Sequence, residues 1–219
     1  MVEAAFVFPV FMLLLLGVVE FGLVMNDYLA VAQTVRAGSR AASAAGNEYH
    51  ADLYTVLKVA QESTSLNRGD INYIVVYRPN AYGEEPTTTC KNGTPVTGVC
   101  NVYTTGDFAA AKAQVAEETR HAEQVNLGNT SDVLNLNLIW FGCLTTGPHA
   151  NASPDRFWCP TTRKVSLQAL PDGSRPGTDF VGVYMKVTHR WVTKMFGTTK
   201  QLTDQSIIRL EPRMLTSEG

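Results

Sequence analysis

The chain is short of the features that usually announce a soluble enzyme or a nucleic-acid binder. Its 18 lysines and arginines against 20 aspartates and glutamates leave a formal net charge of -2 over 219 residues. No run of Lys or Arg forms a basic stripe, so a nucleic-acid partner has no footing. There is no phosphate loop, no GxGxxG and no GxSxG, and nucleotide, dinucleotide and hydrolase chemistry lack their usual anchors. The four histidines, His50, His121, His149 and His189, are scattered, and each is expected in a surface or core role rather than a catalytic one. Glu117 and Glu118 are adjacent, which turns them about 100° apart on a helix and rules out a paired-carboxylate site. Neither a metal nor any other cofactor is expected. The N-x-S/T triplets at Asn92, Asn129 and Asn151 carry no weight, because such short patterns arise readily by chance.

CxxC pairs are also missing. Cys90, Cys100, Cys143 and Cys159 stand ten and sixteen residues apart within each successive pair, too wide for a zinc knuckle, with no pair of histidines close by. An even number of cysteines in wide loops after an apolar segment reads as disulfides in an oxidising compartment; four buried free thiols are the alternative. Four cysteines permit three pairings. The local one, Cys90–Cys100 and Cys143–Cys159, is the expectation, because each bridge then closes a short loop rich in turn residues.

What is present is concentrated at the N-terminus. Residues 4–19 (AAFVFPVFMLLLLGVV) hold no charged or strongly polar side chain, and after Glu20 the apolar run continues to Met25. As a helix, 22 residues span about 33 Å, close to a bilayer's hydrocarbon thickness, while the uninterrupted 16 span only about 24 Å. Either Glu20 lies inside the far boundary or the helix is not purely a membrane span. A signal peptide would need a basic n-region, and the chain starts Met1-Val2-Glu3. A buried core helix would need a polar face, and Leu13 to Leu16 leave none. Residues 1–25 are therefore read as a transmembrane or filament-core helix.

From Asn26 to Leu66 there is no proline, and Val31, Val35, Ala42, Tyr49, Leu53, Val56, Leu57 and Ala60 recur at helical spacings. That pattern predicts an amphipathic continuation over 26–66, ended by Asn67 with Gly69. One helix of some 60 residues would be about 90 Å long, so a break near Gly46-Asn47 is the alternative to a single rod. Within it, Gly38, Ala42 and Gly46 share one face and Ala37, Ala41 and Ala45 another. Such faces admit a close neighbouring backbone; a merely alanine-rich exposed helix is the plainer reading.

Residues 67–219 read as an α+β head. Strands are predicted over 71–78, 133–141, 164–170, 179–192 and 200–211, with Val181, Val183, Met185 and Val187 marking one face of the fourth. Asp107 is the expected N-cap of a helix over 108–124, and loops over 79–106 and 142–162 carry the cysteines. A helix first, then an antiparallel sheet with one further helix, is an α+β arrangement.

The run Val2-Glu3-Ala4-Ala5-Phe6-Val7-Phe8-Pro9-Val10-Phe11, followed by leucines and Gly17-Val18-Val19-Glu20-Phe21-Gly22, resembles the TadE-like family of the tight-adherence (Tad/Flp, type IV pilus-like) system, over about residues 2–45. That family opens on a VE(F/A)A-x-V-x-P run and a (V/I)EFG motif. The segments Cys100 to Thr104, Trp158-Cys159-Pro160, His189-Arg190-Trp191 and Thr203 to Arg213 resemble its longer actinobacterial members. The resemblance implies a type IV pilin-like fold and a minor pilin or pseudopilin. Its implied partners are other pilin-like subunits, a prepilin peptidase, an assembly ATPase and platform, and the membrane before assembly. Glu3 takes the place of the glutamate that pairs with a neighbouring subunit's N-terminus, and Pro9, Gly17, Gly22, Gly38, Ala42 and Gly46 become helix-packing positions. The family's cleavage site follows a glycine a few residues before the glutamate, which implies either a leader not carried here or a mature start other than Met1.

The overall expectation is a structural subunit of a filament, not an enzyme, with its head outside the bacterial cytoplasmic membrane. A membrane-tethered binding module is the rival, and an anchored enzyme a third. The first basic residues, Arg36 and Arg40, follow the apolar helix, which by the positive-inside tendency would hold the head in the cytoplasm; the cysteines favour export. At Glu3 a carboxylate carried to the bilayer centre costs about 2.5–3.5 kcal/mol. That cost calls for an ammonium partner, or for Glu3 to remain wet at the interface.

Overall fold

In a computed structural model the chain is described over residues 2–66, 70–165, 177–194 and 196–211, the first five for their backbone alone. Helix α1, Val2–Ala45, runs unbroken through the apolar segment and on into the amphipathic one. It ends where Gly46 takes a positive φ of 59° and its N–H bonds back to the Ala42 carbonyl, a backbone setting that glycine adopts without a Cβ penalty. The chain then reverses. Helix α2, Ala51–Glu62, folds back along α1 so that Val59 lies against Gly38. The segment 26–66 is thus a helical hairpin broken at Gly46-Asn47 rather than one rod. A 3-10 turn, Ser63–Ser65, follows α2, and the expected stop at Asn67 and Gly69 lies outside the described residues.

The head adds strand β1, Ile71–Tyr77, a short helix α3, Thr88–Lys91, strand β2, Cys100–Tyr103, helix α4, Thr105–Asn126, and strands β3, Phe180–Arg190, and β4, Thr199–Arg209. The strands form one antiparallel sheet in the order β2-β1-β3-β4. Ile74, Val76, Val181, Val183, Met185 and Val187 face the helices. There they join Val31, Val35 and Ala42 of α1, Leu53, Val56 and Val59 of α2, and Phe108 and Ala111 of α4 in one core. The opposite face buries Val75, Tyr77 and Tyr184 under the segment that carries Cys90 and Cys100. A long apolar helix on an antiparallel sheet, with disulfide-closed loops, is the α+β pilin-like arrangement. Both disulfides pair locally, Cys90–Cys100 and Cys143–Cys159.

Three expectations are corrected, over 133–141, 79–106 and 164–165, and that for Asp107 is shifted by three positions. Residues 133–141 are not a strand: they hold a 3-10 turn, Leu136–Leu138, with Val133 and Leu136 exposed. Side chains of α4 supply the partners a strand would have supplied, since Glu117 accepts the N–H of Asn135 and Gln114 Oε1 accepts those of Trp140 and Phe141, each at 2.8 Å. Strand β2 lies within what reads as loop, and its pairing with β1 comes from tertiary contact, not from its own pattern. Asp107 is not the N-cap of α4. It sits at the third helical position, where its carboxylate accepts from the backbone N–H and the hydroxyl of Thr104. Of the strand expected over 164–170, Lys164 and Val165 are not in a strand and the rest lies outside the described residues.

Candidate assembly surface

Among the described residues the lower part of α1 has no partner within its own chain. From Val7 to Val19 the side chains are exposed apart from the partly covered Gly17, and a Cβ built at Gly17 or Gly22 meets nothing within 4 Å. Among the described residues there is one helix long and apolar enough to cross a membrane, and it is this one. Pro9 lies in the bare stretch. Glu3 is in the first turn of α1 and its side chain lies outside the described residues.

The first head contact comes at Glu20, which is 0% exposed. Its carboxylate accepts the backbone N–H groups of Val192 and Thr193, at the tip of the β3–β4 hairpin. Two turns further on, Asp27 meets His189 Nδ1 at 2.6 Å. Strand β3 therefore descends along α1 and β4 climbs back beside it. Higher up, Ser39 shares a hydrogen bond with Ser206, and the Ser43 hydroxyl donates to the Arg209 carbonyl at 2.7 Å. The small residues Gly38 and Ala42 are buried here, and a Cβ at Gly38 would stand 2.7 Å from a Val59 methyl and 3.5 Å from one of Val183. This face is filled from within the subunit by α2 and β3. The second small face is only partly open: Ala45 is buried and Ala37 and Ala41 are half-buried, and Ala37 and Ala41 with Ala44 line a groove of about 650 Å³ together with Arg36, Arg40, Lys58 and Glu62.

Away from α1, a buried polar cluster locks the head. Asp52 of α2 accepts from Arg163 at 2.7 Å, Asn101 at 2.8 Å and Tyr103 at 2.6 Å, and the Arg163 guanidinium lies over the Trp158 ring. Burial, with the Asp52 charge beside it, pushes the Tyr103 hydroxyl well above its usual range. The Asp52–Arg163 pair is closed to solvent, so it ties α2, β2 and the second disulfide loop together rather than meeting a substrate. At the head surface the Arg120 guanidinium, bonded to Glu117, and the Asn135 N–H draw the Glu117 carboxyl down to about 2. Glu117 and Glu118 serve different partners, Arg120 and Gln114 respectively. The histidines each take a packing or pairing role: His50 by Glu118, His121 by Asp132, His149 stacked on Trp140 and His189 by Asp27. Among the described residues no group of three or more His, Cys, Asp and Glu is arranged to hold a metal ion.

The bare helix, the turn at which the head takes hold of it and the sheet behind it are the setting for the comparison with known families. Residues 1–40 match the family model described as TadE-like protein. This N-terminal segment is TadE-like. The match covers the whole exposed stretch of α1, Glu20 and the first residues under the head, and the family belongs with the pilus components of the Tad system. No curated protein and no solved structure matches the chain. Glu20, part of the Val19-Glu20-Phe21-Gly22 segment, read from the sequence as an interruption of the apolar run and as part of a family motif, with no partner assigned to it. Its role as the clasp for the hairpin had one available signal: a lone carboxylate within a greasy helix needs donors. The roles of Asp27 and His189 left no trace in the sequence.

Proposed function

We propose that this chain is a structural subunit, a minor pilin or pseudopilin, of a Tad-type pilus or a related secretion filament. In this reading it has no catalytic role. The observation that carries the proposal is the bare apolar stretch of α1 projecting beyond a folded head whose lowest hydrogen bond is at Glu20. Residues 2–19 are about 27 Å of helix, enough to span most of a bilayer and then to pack against the same stretch of other subunits. Residues 1–25 serve as the membrane and filament-core segment, 26–66 as the amphipathic hairpin and 67–219 as the extracytoplasmic head. Export is supported by the two disulfides, which persist in oxidising compartments. The prepilin peptidase, assembly ATPase and platform are the partners that the TadE-like segment implies.

Apolar packing alone does not fix axial register, since lipid tails are as apolar as Leu13 to Leu16. A charge pair between Glu3 and the free amino terminus of the adjacent subunit does, because a misregistered neighbour leaves a buried charge unpaired at about 3–5 kcal/mol. Glu3→Ala is expected to insert into the membrane as well as wild type and to be lost from sheared filaments, with Glu3→Asp partly restoring incorporation. Equal recovery of Glu3→Ala and wild type in the filament fraction would overturn the register role and favour a membrane-tethered binding module.

A further inference from the structure

The tip of the β3–β4 hairpin carries a second apolar surface, set at one particular height on α1. Val192 is 72% exposed and Phe196 60%. The Trp191 ring leans on Phe196 at 5.4 Å between centroids and edges onto His189 at 5.2 Å. Trp191 is half-buried, and among the described residues Val192 and Phe196 stay uncovered; an exposed apolar patch of this kind marks a contact surface. The tip is held at this height by the bonds from Val192 and Thr193 to Glu20, the first residue of α1 that the head buries, while Phe21, Leu23 and Met25 stay exposed on the other sides of the helix. The charges around it are mostly cationic. Lys194 and Lys200 have no ion-pair partner among the described residues, whereas Arg190 is held by Asp70 and Asp27 is held by His189.

We infer that Trp191, Val192, Phe196 and Lys194 at the hairpin tip form a lipid-surface contact that seats the head on the bilayer α1 spans. The inference rests on reading α1 as a membrane span. With residues 2–19 accounting for about 27 Å of a hydrocarbon layer about 30 Å thick, Glu20 lies at the outer edge of that layer, where the headgroup region begins. Aromatic rings with one polar edge settle there, and lysines beside them meet anionic headgroups. The carboxylate of Glu20 is tolerated at that depth because two backbone donors satisfy it. The unassembled subunit then has two attachments, one through the membrane and one upon it, which fix the tilt and rotation of the head before it is drawn into a filament.

The test uses the full chain in vesicles of phosphatidylcholine and phosphatidylglycerol whose acyl chains carry bromine near the headgroup or near the tail end. Tryptophan emission is compared between wild type and Trp191→Phe, so that Trp191's share is obtained by difference. Shallow bromines are expected to quench that share and deep bromines to leave it, and Val192→Ser with Phe196→Ser should remove the shallow quenching and shift Trp191 emission to the red. Leu14→Trp, in a Trp191→Phe background, reports α1 separately and should be quenched by the deep bromines. If Leu14→Trp is quenched and Trp191 is not, the hairpin contact is wrong and the membrane span stands. If neither is quenched, the span reading fails and takes the inference with it. Protection of Trp191 that disappears on diluting the protein in lipid would assign the tip to a second copy of the chain and overturn the lipid contact.

Discussion

The two ends of α1 share one continuous helix and answer to different surroundings. Around Val7 to Val19 the helix is apolar on every side and meets nothing of its own chain; around Val31 to Ala45 it is apolar on one side and buried by α2, β3 and β4. Glycine exposes the contrast. At Gly17 a side chain would point into open space, and at Gly38 it would collide with Val59. Secondary structure alone therefore does not say what a helix is for. The lower half is covered by nothing in the described head, as the proposed membrane or filament role requires. The upper half is the backbone of the head's core.

The largest expected effect comes from placing one charge in each half. Val35→Asp puts an unpaired carboxylate into the core and should destabilise the head by about 3–5 kcal/mol, seen as a lost or lowered thermal transition in detergent. Leu14→Asp should leave that transition where it was and instead weaken membrane insertion by about 2.5–3.5 kcal/mol, measured by extraction from membranes. Equal thermal losses from the two would mean that the lower half also belongs to the core.

Next in size is the second disulfide. Replacing Cys143 and Cys159 together with serine should cost about 3 kcal/mol in the chain-entropy account for a loop of this length. It should also loosen Trp158 and Arg163, which sit at or just beyond the end of the loop and hold α2 against the sheet. Chemical unfolding of the double variant against wild type measures it, and the insertion of α1 should not change.

Most of this architecture is legible in the sequence wherever a segment's pattern is set by its own solvent. The leucines of α1, the Val181-Val183-Met185-Val187 alternation of β3 and the short cysteine loops all carry their reasons locally. Residues 133–141 mislead because their alternation is real but their backbone donors are taken by side chains of the preceding helix, Gln114 and Glu117, instead of by a neighbouring strand. Strand β2 is hidden for the complementary reason: four residues inside a turn-rich stretch become a strand only because β1 lies beside them. The hold of Glu20 on the hairpin tip is an arrangement between residues more than 170 apart, beyond any local periodicity.

A smaller effect separates the halves by volume. Gly38→Leu should cost about 1–3 kcal/mol through overpacking against Val59 and Val183, whereas Gly17→Leu should leave the thermal midpoint of the head unchanged. A neutral Gly38→Leu would mean that α2 can move away from α1 without loss.

The smallest concerns acid and reaches only the covered half, through the α4 layer that packs on α2. The folded Glu117 carboxyl lies at about 2, below its ordinary value of 4.5. Its contribution is therefore fully present above pH 4.5 and is lost as the pH falls from there towards 2. Glu117→Gln should flatten the acid dependence of head stability in that window, with little change at pH 7 in the attachment of α1 to lipid. An unchanged acid profile would show that Arg120 and Asn135 do not hold this carboxylate in solution.

The edge of the sheet has a consequence for life in a crowd. Strand β4 is eleven residues long and among the described residues pairs only with β3, so its other side is a ladder edge of the kind that recruits stray strands. Its sequence, Thr199-Lys200-Gln201-Leu202-Thr203-Asp204-Gln205-Ser206, is mostly polar and carries a charge of each sign, which discourages the flat, greasy pairing that leads to aggregation. Ser39 and Ser43 of α1 also bond to it from the side. If the chain is the filament subunit proposed above, heads concentrated on one membrane can jostle without knitting together through their sheets, and order among them is left to the helices.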